Sequence, residues 1–141
     1  MGDNSTEPKW LTLARSQLGT HEVPGPGNSP TVVEYYVEAA GKRMPDVVPW
    51  CAAFVGAMLH RAGVKPSGSL WARSYLNWGK KLTKPQLGCI TVFARGPIAG
   101  HVAFFLADEG SVIKVLGGNQ SDAVTIARQP KRRLLGYRWP T

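Results

Sequence analysis

Apolar residues recur at helical spacing through the first half of the chain, and they alternate or run together in short stretches through the second. Trp10, Leu13, Ala14 and Leu18 share one face of a segment that opens at Pro8 and stops at Gly19, so a helix is expected there. The prolines and glycines of "THEVPGPGNSP" read as a loop. Ser29 and Pro30 have the form of an N-cap and first helical residue, with Tyr36, Val37 and Ala40 in register and Gly41 as the stop. After a second loop, "KRMPDV", comes "VPWCAAFVGAMLHRAGV". Its residues Cys51, Phe54, Val55, Met58, Leu59 and Ala62 form a three-four apolar stripe closed by Gly63. Pro49 suits the first turn of that helix, where its missing N–H would have no partner anyway. A fourth helix is expected over Leu70 to Trp78, ended by Gly79.

The later segments read as strands: "CITVFA" from Cys89, "HVAFFLA" from His101 and "SVIKVL" from Ser111. The turn "DEG" makes the last two a hairpin, and "AVTIA" and "LLGYRW" add further strands. Helices first and antiparallel strands afterwards argue for an α+β fold rather than a parallel sheet. No repeat or low-complexity tract divides the chain, so residues 1–141 are expected to form a single catalytic domain behind a flexible start at residues 1–7.

Composition narrows the function classes. Apolar content of 43% and charged content of 18% fit a globular chain rather than a disordered one. The longest apolar run falls short of the roughly 20 residues of a membrane span. "MGDNSTEPKW" lacks the basic-then-apolar order of a signal peptide, so synthesis in the bacterial cytoplasm and release by other machinery are expected. The net charge of +8 favours polyanionic partners, and the basic residues gather in "RQPKRRLLGYR", Arg128 to Arg138. That segment reads either as a solvated basic face or as a contact for anionic wall or outer-membrane polymers. No zinc-finger spacing, RNP motif or basic zipper is present, so no specific nucleic acid is expected. Nothing in the sequence calls for an oligomer, and a monomer is expected.

Only two cysteines occur, and each reads better alone than as a bridge. Cys51 stands at a helix start, where the helix dipole favours a thiolate and free N–H groups can hold an oxyanion. It can equally be a small buried apolar residue. Cys89 falls on a strand and reads as structural. A nucleophile needs a base. His60 lies on the same helix, about 13 Å along the axis from Cys51 and out of reach. His21 sits in the Pro/Gly loop, whereas His101 opens a strand directly after "GPIAG" and is the best candidate. Asn119 leaves the returning strand at nearly the level of His101 and can orient its ring. Gln120 is its near rival, because strand neighbours point opposite ways; "GGNQSD" also reads simply as a turn. A Cys, His, Asn set in this order has the division of roles found in papain-like enzymes.

"PWCAAFV", "GCITVF", "GHVAFF" and "LGGNQSDAV" together resemble the CHAP and NlpC/P60 superfamily of cell-wall hydrolases. "LGTHEVPG" near the start and "LLGYRWP" at the end are similar to its short phage and prophage members. The resemblance spans nearly the whole chain. It implies a papain-like α+β fold and cleavage of amide bonds in bacterial peptidoglycan, with Cys51 as nucleophile, His101 as base and Asn119 as orienter. Many CHAP members carry a Glu two positions before this Asn; Gly117 stands there in this chain. Some bind calcium through several aspartates near the cysteine, but only Asp46 is close here, and no HExxH is present, so no metal or cofactor is expected.

Further candidates for substrate contact are Glu22, Asp46, Trp50 and Gln120. Glu22 either lines the groove or pairs with a basic neighbour, and Asp46 reads better as a helix cap. Trp50, Trp71, Trp78 and Tyr75 are aromatic walls or core. The expected function is a peptidoglycan amidase or endopeptidase of endolysin type, acting on the wall after holin-type release. The alternatives are a non-catalytic wall- or lipopolysaccharide-binding module and a murein-degrading toxin delivered by a secretion system.

Overall fold

Ser29 starts the second helix as its side chain suggests. Its Oγ accepts a hydrogen bond from the Val32 N–H at 3.3 Å, Pro30 takes the first helical position, and Gly41 closes the helix with a φ of 74°. The computed structural model describes residues 7–23, 27–44 and 49–141. Within them the helices are α1 (Lys9–Ser16), α2 (Pro30–Ala40) and α3 (Cys51–Arg61). Six strands follow: β1 (Lys80–Leu82), β2 (Ile90–Arg95), β3 (Ala99–Asp108), β4 (Val112–Gln120), β5 (Ala123–Pro130) and β6 (Leu134–Trp139). They form one antiparallel sheet in the order β1-β6-β2-β3-β4-β5. Helices followed by an antiparallel sheet make the α+β fold that the sequence pattern predicts.

The first helix is shorter than expected, ending at Ser16. Leu18 therefore lies beyond it and is 43% exposed, while Leu11 is the residue buried beside Trp10 and Ala14. The fourth helix is a 3-10 turn over Ala72–Asn77. Its entry is fixed by serines, with Ser69 Oγ accepting from the Trp71 N–H at 3.0 Å. Strand β1 escapes the sequence pattern because "KKL" has no apolar alternation; it is an edge strand held by pairing with β6.

The sheet buries both faces. Val92, Val102, Phe104 and Leu116 pack towards the helices, where Phe54 of α3 meets Phe104 edge-on at 6.0 Å. Cys89, Phe93, Ala103, Phe105, Ile113, Val115 and Tyr137 form a second cluster. Helix α3 is buried along most of its length, from Cys51 to Leu59. Arg61 at its end grips Glu38 of α2 with two hydrogen bonds of 2.8 and 2.6 Å, tying the two helices together. The N-terminus of α3 thereby comes to rest against the start of β3.

Candidate active site

Helix α3 begins at Cys51, with Trp50 as its N-cap residue and Pro49 just outside. Cys51 is thus the first helical residue, and Pro49 restricts the approach to the helix rather than its first turn. The side chain is only 6% exposed. Burial pushes the thiol pKa up, against backbone hydrogen bonds at Val102, Ala52 and Cys51 itself and against the charge of Arg95. Burial thus works against the thiolate that the helix start favours. A helix terminus contributes roughly 0.3–1 kcal/mol to a nearby charge, whereas desolvating an anion costs several.

His101 is fully buried near the start of β3. Its Nε2 lies 2.8 Å from Gln120 Oε1, and both amide hydrogens of Gln120 are committed elsewhere, to Thr125 O at 2.8 Å and Thr125 Oγ1 at 3.2 Å. The amide oxygen must then face the ring, so Nε2–H donates and Nδ1 keeps its lone pair. Nδ1 is buried with no hydrogen-bond partner. Phe93 lies over the ring at 6.5 Å between centroids, 26° from parallel. Cys51 meets the backbone of Val102, the residue next to His101 in β3. The thiol at the start of α3 thus meets the strand residue next to an imidazole oriented by Gln120.

The amide on His101 is that of Gln120, not Asn119. The β4–β5 register shifts between Gly117 and Gln120, and Asn119 adopts a left-handed φ of 58°. That irregularity breaks the strict alternation of the strand, so the expected level was right and the expected parity was not. Gly117 and Gly118 make room for the arrangement. A Cβ at Gly117 would lie 3.0 Å from Gln120 Oε1, and one at Gly118 would lie 2.7 Å from Phe54 Cβ and 2.8 Å from the Trp50 ring.

Glu22 accepts a hydrogen bond from the Trp50 indole N–H at 2.9 Å, and its own N–H donates to Asp122 O at 3.0 Å. Trp50 and Tyr75 are fully buried and present no open aromatic wall, while Trp71 is 53% exposed. Trp78 is half-buried and donates its indole N–H to Lys65 O at 3.0 Å. Asp46 lies outside the described residues, as does Gly25 of the early motif. His21 and His60 are exposed, His21 bridging Ala123, the register partner of Gln120, and both cysteines are free thiols. In the basic segment Arg128 pairs with Glu109 and Lys131 with Asp108, each at 2.7 Å, leaving Arg132 and Arg133 exposed.

Sequence reasoning missed Arg73. Its guanidinium makes three hydrogen bonds, to Gly96 O at 2.9 Å and to Ala99 O at 3.0 and 2.8 Å. It clamps the β2–β3 turn just before His101. Its position in the short segment after Trp71 carries no periodic or motif signal for that role.

Two outcomes follow from these contacts. Glu22→Gln is expected to retain the tryptophan contact, since an amide oxygen can still accept the indole N–H, and to keep activity on cell wall within about three-fold. Glu22→Ala is expected to lose about ten-fold and about 1 kcal/mol of stability. An equal loss in both variants would instead make the carboxylate charge the essential feature. The second outcome concerns His101. Burial, with a smaller push from Arg95, lowers its pKa to about 4, against the hydrogen bond to Gln120. In the unfolded chain it titrates near 6.5. The depressed group contributes stability that is fully present above pH about 6.5 and is lost as pH falls towards about 4, up to about 3 kcal/mol. Urea unfolding across that window should show the slope, and His101→Gln should flatten it.

The model of the CHAP domain matches residues 43–119, just over half of the chain. The crystal structure of a protein similar to lipoprotein, of the NLP/P60 family, from Staphylococcus aureus aligns with a TM-score of 0.55 and 18% identity. The alignment covers 99% of this chain and 43% of that one, so the chain spans under half the length of that protein. The likeness is one of fold, the papain-like α+β arrangement. No curated protein matches the sequence.

Proposed function

The chain belongs to the CHAP domain family, and from that premise we propose that it hydrolyses an amide bond of the peptidoglycan peptide through Cys51, His101 and Gln120. Family membership supports a peptidoglycan-hydrolase type of function and action at the cell wall. The observation that carries the finer reading is the state of His101: Nε2 is anchored on Gln120 and Nδ1 is left buried and unpartnered beside the strand residue that meets the thiol.

In this mechanism Nδ1 takes the Cys51 Sγ proton as the sulfur attacks the amide carbon. Gln120 Oε1 accepts from Nε2–H throughout and steadies the imidazolium that forms. The negative oxygen of the tetrahedral intermediate lies against N–H groups of the first turn of α3. Nδ1–H then protonates the leaving amine, and the C–N bond breaks to leave a thioester. Nδ1 next takes a proton from water, whose oxygen attacks the thioester carbon; the C–S bond then breaks, the acid leaves, and Nδ1–H returns the proton to Sγ. Burial raises the thiol pKa and lowers that of the imidazole, so both partners favour their neutral forms at rest. An endolysin-type lysis protein and a delivered toxin would both employ this chemistry.

The test is digestion of purified peptidoglycan, with the released fragments read by mass spectrometry. New amino termini with intact sugar chains are expected. A new terminus on L-alanine would identify an amidase, and one further along the peptide an endopeptidase. New reducing sugar ends, or no soluble fragments, would overturn the reading.

A further inference from the structure

We propose that Arg95 is a specificity residue of this site, binding a free carboxylate of the peptide beside the scissile amide. The inference rests on the function proposed above and names the substrate chemistry that the site selects. Its basis is the register of the β2–β3 hairpin, in which Phe93 pairs with His101 and Arg95 with Ala99. Residues paired directly across an antiparallel ladder share a face, as do residues two apart along a strand. Phe93, Arg95, Ala99 and His101 therefore lie on one face of the hairpin. Phe93 covers the imidazole, and Arg95 is the next residue outward, at the exposed end.

The guanidinium of Arg95 is exposed and makes no hydrogen bond or ion pair among the described residues. Other arginines spend theirs: Arg73 on the turn carbonyls, Arg61 on Glu38, Arg15 on Glu7 and Arg128 on Glu109. The Arg73 clamp holds the turn that follows Arg95, so the base of its side chain is fixed while its donors stay unused. Its charge is also felt at both reacting groups, opposing the rise at the Cys51 thiol and adding to the fall at His101.

A planar guanidinium with free donors is matched in geometry and charge to a carboxylate, which it can take with two parallel hydrogen bonds. The peptides of peptidoglycan carry such groups, and amidation removes their charge without changing their length. The carboxylate of Glu22 is already bonded to Trp50. A bound carboxylate would thus be held at the mouth of the site, on the side of His101, placing the neighbouring amide towards Cys51.

The test measures binding in Cys51→Ala protein, so that it does not depend on turnover. Soluble murein peptides with free carboxylates are titrated beside the same peptides amidated, with Arg95, Arg95→Gln and Arg95→Lys. The Arg95 protein should bind the free acids at least about ten-fold tighter than the amides, and salt should erode the difference. Arg95→Gln should abolish the preference and Arg95→Lys keep part of it, with circular dichroism unchanged. An equal loss for acid and amide, a preference that survives Arg95→Gln, or no binding of the free acid would each overturn the proposal. Failure of the wild-type protein to cut peptidoglycan would instead count against the hydrolytic function and leave this readout intact.

Discussion

Exchanging Cys51 for alanine is expected to lower turnover on purified peptidoglycan by about 10⁴-fold or more while leaving the fold in place. In the proposed mechanism the whole reaction runs through the sulfur, so nothing in the site can replace it; the remaining N–H groups would still bind the amide but not open it. The cost to stability should be small. The substitution removes one atom from a site at the helix start, and the thermal midpoint should stay within a few degrees. Iodoacetamide offers a second readout. The buried, neutral thiol should react slowly in the free protein, because the thiolate is the reactive form. Release of fragments by Cys51→Ala at more than about 1% of the wild-type rate would remove Cys51 from the role of nucleophile.

Gln120→Leu is expected to cost about 10²-fold or more in kcat, whereas Asn119→Gly should stay within about three-fold. Leucine nearly matches the volume of glutamine but leaves Nε2–H buried without a partner, a penalty of about 1–3 kcal/mol that frees the ring to turn. Glycine at 119 accepts the observed φ of 58° without strain and removes only a side chain that does not meet His101. Gln120→Glu sharpens the test. A carboxylate against Nε2 would favour the imidazolium, raise the His101 pKa from about 4 and move the acid limb of the pH profile upwards. A large loss in Asn119→Gly with little in Gln120→Leu would return the orienting role to Asn119.

Much of this arrangement is legible in the chain, and the misses have physical causes. Ser29, Pro30 and Gly41 delimit α2 because capping is local chemistry, written in the residues that perform it. The strands from Ile90 to Gln120 announce themselves by β-branched and aromatic runs. Cys51 and His101 stand out as candidates by position, one at a helix start and the other at a strand start, although position alone leaves Cys51 equally readable as a small buried apolar residue. The choice between Asn119 and Gln120 cannot be made by position, because parity along a strand is reset by a shift in register that depends on the partner strand. Nor does position reveal the burial that raises the Cys51 thiol pKa, since burial is set by residues distant in sequence. Whether Trp50 is an aromatic wall or core is decided only when Gly118 is seen to accept its ring.

The bulge before Gln120 carries a meaning for descent as well as for geometry. Adding or removing a single codon there would turn the other amide inward, with no change in the residue types available to the site. The amide that meets His101 is in that sense inherited as a register rather than as a letter. Lineages could exchange asparagine for glutamine, or lose the contact, through an insertion or deletion that substitution-based comparison of the same columns would not register.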